Sequence, residues 1–128
     1  MLLKLSELLY SLSFKLRQKA LYFELKYYIV TQRSYLKAVY SWDRALGKSC
    51  TLIKLAQKYK CPIAVPSNKA KNYLQGLSKV PIEIVVIKDS SKGKRFDLIL
   101  CEEGFDEKII NNILKPIAKV LVGYEFVY

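Results

Sequence analysis

The chain has 128 residues, 52% of them hydrophobic, with 22 Lys and Arg against 11 Asp and Glu, a net charge of +11. That length fits one domain, and the apolar content is enough to bury a core, which excludes a disordered chain. Histidine is absent, so the commonest general base is missing and a Ser-His or Cys-His hydrolase is excluded.

The charge is unevenly spread. Residues 41–79 carry a net +7, residues 1–40 a net +5, and residues 96–128 a net −3. Such an imbalance predicts attraction to polyanions: nucleic acid, nucleotides, an acidic protein face or an anionic membrane. The alternative is a basic soluble surface with no polyanion partner. Cys50, Cys61 and Cys101 are too far apart for a zinc pattern. They read as reduced thiols of a cytoplasmic protein, with Cys61 and Cys101 packed as small hydrophobes. No apolar run is long enough to span a bilayer, and Lys4, Glu7, Lys15, Arg17 and Lys19 interrupt the N-terminus too often for a secretory signal core.

In chain order, residues 2–31 read as helix. Leu5, Leu8, Leu9, Leu12 and Leu16 recur at spacings of three and four, followed by Ala20, Phe23, Tyr27 and Val30. Ser11 and Ser13 leave open one bent helix or two. The apolar face is expected to pack on its own domain, and a basic helix lying on a membrane is the alternative. This makes residues 1–34 a helical extension and 35–128 the core domain. Tyr35 to Ser41 suits a strand, Trp42 to Gly47 a short connection, and Lys48 to Tyr59 a helix. Cys61 to Val65 is a short apolar strand stopped by Pro66. Ser67 is a good N-cap for a helix to about Leu77. Val80 to Ile87 is a third strand, Asp89 to Arg95 a mobile polar turn, and Phe96 to Cys101 a fourth strand. Asp106 caps a helix to about Leu114, and Lys119 to Tyr128 is a last strand, with a split at Gly123 left open. Alternating elements with near-continuous apolar strands imply an α/β fold with a mostly parallel five-stranded sheet.

The informative stretch is Ser41-Trp42-Asp43-Arg44-Ala45-Leu46-Gly47-Lys48-Ser49-Cys50. Gly47, Lys48 and Ser49 match the end of the phosphate-binding pattern of Gly, four residues, Gly, Lys and Ser or Thr, set between a strand and a helix. Trp42 stands where the first Gly is expected. Amides at a helix N-terminus and the helix dipole favour an anion there. The fourth strand ends in Glu102-Glu103, where such proteins carry a pair of acids. From about Tyr35 onward the chain therefore resembles the P-loop NTPase superfamily, with degenerate forms of both motifs. It looks most like small phage or mobile-element ATP-binding proteins with a helicase-like arrangement of the two motifs.

That resemblance implies a sheet of P-loop NTPase type and a site for ATP or GTP with Mg²⁺. By it, Gly47, Lys48, Ser49, Cys50 and Arg44 would bind nucleotide, Ser49 and Glu102 would hold the metal, and Glu103 would be the catalytic base. Trp42 costs the turn that glycine permits, so hydrolysis is expected to be weak or absent, and the length excludes a full helicase motor. The bland alternative makes Lys48 and Ser49 a solvated helix start, Glu102 and Glu103 a polar loop, and Trp42 an apolar anchor. The competing function is a non-enzymatic phage anti-defence inhibitor, anti-CRISPR-like, which binds a host nuclease or its nucleic acid in the host cytoplasm. A third reading is general nucleic-acid binding through Lys54, Lys58, Lys60, Lys69 and Lys71.

Overall fold

The structure, a computed structural model, describes residues 2–40 and 47–126. Trp42 and Arg44 therefore lie outside the described residues. Helix α1 spans Leu2–Val30 and leads into strand β1, Tyr35–Val39. Helix α2 (Lys48–Tyr59), strand β2 (Ile63–Val65), helix α3 (Asn68–Leu77) and strand β3 (Ile84–Val86) follow. After a 3₁₀ turn at Asp89–Ser91 comes strand β4, Phe96–Cys101. Helix α4 (Glu107–Ile109), a π-helical turn (Ile110–Leu114) and helix α5 (Lys115–Ile117) run on into strand β5, Ala118–Phe126.

The five strands form one sheet in the order β1-β5-β4-β2-β3. Every pairing is parallel, so the sheet is all-parallel where the sequence implied mostly parallel. β5 is inserted between β1 and β4, with Leu36 opposite Gly123 on one side and Cys101 opposite Gly123 on the other. Both faces are covered, which explains the apolar runs. One face buries Leu21, Leu25 and Ile29 of α1 with Leu52 and Leu55 of α2 and Leu74 of α3. The other buries Ile110, Ile113, Leu114 and Ile117 against Ile99 and Leu121.

Several boundaries differ from expectation for local reasons. α1 is one helix, unbroken at Ser11 and Ser13. It packs through Leu21, Leu25 and Ile29, a different stripe from the expected one: Leu5, Leu8, Leu9, Leu12 and Leu16 are exposed because those turns extend past the sheet face that α1 covers, and Ala20, Phe23, Tyr27 and Val30 are exposed because the later turns present another side to the core. β3 shrinks to three residues at the sheet edge, since Pro81 brings no N–H to a ladder. The polar turn is anchored after all: Ser91 is buried, and its hydroxyl accepts from Lys88 N–H at 3.1 Å. The helical segment after Asp106 widens to a π-turn just before Pro116, whose ring excludes a normal bond to the preceding turn. β5 runs unbroken through Gly123. The expected caps are present, with Ser67 Oγ accepting from Ala70 N–H at 3.2 Å and Asp106 from Lys108 N–H at 3.1 Å.

Among the described residues, no helix is long and apolar enough to cross a membrane.

Candidate functional site at the carboxyl edge of the sheet

Parallel strands put all their carboxyl ends on one edge, where ligands of open α/β sheets bind. Helix α2 starts at that edge after β1, and Glu102-Glu103 leave it after β4. Gly47 sits just before the helix with φ 66°, a left-handed conformation that glycine adopts without cost. A side chain there would also collide with Gln18 Nε2 of α1. No side chain caps α2 among the described residues.

Two residues singled out in the sequence on each side come together. Ser49 Oγ donates to Glu102 Oε2 at 3.0 Å. Lys48 Nζ pairs with Glu103 Oε2 at 3.3 Å. Glu102 Oε1 accepts from the Glu103 backbone N–H at 3.1 Å. Lys48 and Glu102 are buried, at 6% and 7% exposure, while Ser49 and Glu103 are half-buried. Burial pushes the Glu102 carboxyl above the ordinary carboxylate range. The Glu103 amide, the Ser49 hydroxyl and the Lys48 charge pull it down, and the Glu103 charge adds to the rise. Cys50 is exposed on the next position of α2.

Two supporting residues carried no sequence signal. Tyr124 of β5 is fully buried and its hydroxyl donates to the Lys48 carbonyl at 3.1 Å, tying the first turn of α2 to the sheet. Burial, and then the charges of Glu102 and Glu103, push that hydroxyl's pKa up, so it stays a neutral donor. Thr51 Oγ1 donates to the Gly47 carbonyl at 3.1 Å. Tyrosine and threonine are ordinary in strands and helices, so neither residue stands out before the fold is known. Gly123 has the same character: a side chain on it would strike the Cys101 carbonyl, one residue before Glu102.

The five basic residues proposed as polyanion contacts are divided between α2, its C-cap and α3. Lys54 and Lys58 line a groove between α1 and α2. Lys60 lines a different depression with Val80 and Ile82, and Lys69 and Lys71 belong to α3.

Among the described residues no group of three or more Cys, Asp or Glu is arranged to hold a metal. That does not decide against Mg²⁺, which takes one or two carboxylates, keeps several waters and relies on substrate phosphates for the rest. Ser49 Oγ and a Glu102 oxygen lie within hydrogen-bond distance of each other. A buried carboxyl with one hydroxyl beside it is a donor set that a divalent cation would suit.

No protein-family model, no curated protein and no solved structure matches the chain.

Proposed function

We propose that the chain is a degenerate P-loop protein that binds the phosphates of ATP or GTP with Mg²⁺ at the start of α2, and hydrolyses the nucleotide weakly or not at all. One observation carries this reading: Lys48 and Ser49, adjacent on α2, each engage one of the adjacent glutamates after β4. The glutamates come from a strand separated from β1 by β5, so chain proximity does not account for the meeting.

The chemistry follows from what each group gives up. Lys48 is a buried cation whose carboxylate partner is half-exposed, so an incoming terminal phosphate competes with Glu103 for it in a site of low polarity, where charge-assisted bonds are strong. The amides at the start of α2 add donors of fixed orientation. Ser49 and Glu102 would hold the metal, which when bound neutralises charge on the phosphates. Glu103 would then be free to orient a water. Weak turnover follows from the same arrangement, because Lys48 serves both the phosphate and the candidate base. The Trp at position 42 removes a glycine from the loop as well.

Titration calorimetry with ATP and GTP, with and without Mg²⁺, tests the reading. Wild-type protein should give Mg²⁺-dependent binding heat. Lys48→Ala should weaken it by roughly ten- to a hundredfold, the worth of one hydrogen bond to a charged group. No heat and no thermal shift at millimolar nucleotide would falsify it.

A further inference from the structure

We propose that the groove between α1 and α2 binds a single strand of nucleic acid. The groove has a volume of about 830 Å³ and adjoins the edge site at Cys50 and Thr51, but neither Lys48 nor Glu103 lines it. Lys15 and Lys19 of α1 form one wall, Lys54 and Lys58 of α2 the other, and Tyr22 and Phe23 lie between them. No carboxylate is among its described lining residues.

None of the four groove lysines has a carboxylate partner among the described residues. Lys37 lies 2.8 Å from Glu24, and Lys48 lies 3.3 Å from Glu103. In the groove, Lys15 and Lys19 of α1 stand across from Lys54 and Lys58 of α2. Folding that brings like charges together is stabilised when a polyanion enters. Each wall repeats its lysine at i and i+4, one helical turn apart.

The aromatic residues narrow the polyanion to one with exposed bases. Phe23 is 59% exposed, and its ring lies 5.8 Å from Lys26 Nζ, so a ring face and a cation are presented together. Sequence-tolerant binding of single strands uses this combination, a basic groove for the backbone and rings on which bases stack. A duplex hides its bases from such rings. From Lys15 to Lys26 the helix rises about 16 Å. That span holds a short run of nucleotides of a single strand.

The test is fluorescence anisotropy with labelled 12-nucleotide oligo(dT) and oligo(rU) at low and moderate salt. Both should bind, with affinity falling steeply as salt rises. Lys19→Glu/Lys54→Glu/Lys58→Glu should weaken binding at least about tenfold and flatten the salt dependence. Lys69→Glu/Lys71→Glu on α3 should stay within about twofold, if the groove and not total charge is responsible. Phe23→Ala, at an exposed position that does not threaten the core, should weaken oligonucleotide binding at least about fivefold while leaving heparin binding unchanged. Circular dichroism on each variant confirms folding, and single Lys→Gln variants replace any reversal that unfolds. Equal losses from the α3 and groove reversals would overturn the proposal. So would unchanged binding in Phe23→Ala, tighter binding to duplex DNA or to anionic phospholipid vesicles, or no binding at low salt. Lys48→Ala should leave oligonucleotide affinity intact, so failure of the nucleotide site and failure of this groove can be told apart.

Discussion

The edge site and the α1–α2 groove handle positive charge in opposite ways. At the edge, Lys48 is buried and faces Glu103, whose amide joins it to the Ser49–Glu102 pair. In the groove, Lys15, Lys19, Lys54 and Lys58 are exposed and face one another. A ligand at the edge must displace a partner already present, so geometry governs it. A ligand in the groove removes a repulsion, so ionic strength governs it. One basic protein can thus hold two anion-attracting regions that respond to different variables.

The largest effect should come from the backbone that supports the edge. Gly123→Val drives a branched side chain into the Cys101 carbonyl and separates β5 from β4 just before Glu102. Urea denaturation should show a loss on the order of 3 kcal/mol or more, with nucleotide binding lost as well. A folded, stable Gly123→Val protein that still binds nucleotide would break the link between the strand and the site.

Next in size, Gly47→Ala must hold a left-handed residue and push Gln18 aside. A cost of about 1–2 kcal/mol follows, read as a lower Tm. Oligonucleotide affinity in the groove should change less than nucleotide affinity at the edge, and the reverse order would undo the separation of the two regions.

Glu102→Gln keeps an acceptor for Ser49 and removes a buried charge. The raised pKa of Glu102 in the folded state means the folded protein holds a proton that the unfolded chain has released. Stability therefore falls as pH rises from the ordinary carboxylate value through the folded value, and the loss is complete above it. In metal-free protein, Glu102→Gln should gain roughly 1 kcal/mol at neutral pH and nothing below the ordinary carboxylate range. Thermal melts at pH 3.3 (about one unit below the ordinary Glu value) and at pH 7.5 decide this, and a gain that is the same at both would contradict the burial of that charge.

The smallest effect lies in the groove. Added salt should raise Tm slightly by screening its cations, and Lys58→Gln should shrink that response while Lys69→Gln does not. Identical salt responses in the two variants would mean that the repulsion is spread over the whole surface.

Much of the fold was legible because its strands are short apolar runs between good caps and breakers. Ser67, Pro66 and Asp106 act where their chemistry places them. Gly47-Lys48-Ser49 and Glu102-Glu103 were legible as two motifs, each at a strand end. Strand order was not, because no local residue says that β5 enters between β1 and β4. Gln18 and Tyr124 stayed invisible for the same reason: they act through contacts 29 and 76 residues away along the chain. The groove escaped because its lysines come from two segments. Lys54 and Lys58 were grouped by sequence with Lys60, Lys69 and Lys71, whereas packing groups them with Lys15 and Lys19. The leucines of the first turns of α1 followed a true helical period, but periodicity identifies a face and not what covers it.

The insertion of β5 has a consequence for how the molecule is made. Among the described residues, β1 pairs with β5 alone, which is the fifth strand in chain order. Until it arrives, the lysine-bearing helix and the glutamate-bearing strand have no common scaffold. The loop-closure entropy of joining them is then unreturned, and folding of this edge is a late, non-local event. Assembly of the Lys48–Glu103 edge should therefore report on completion of the sheet, while α2, α3 and β2 are free to organise earlier.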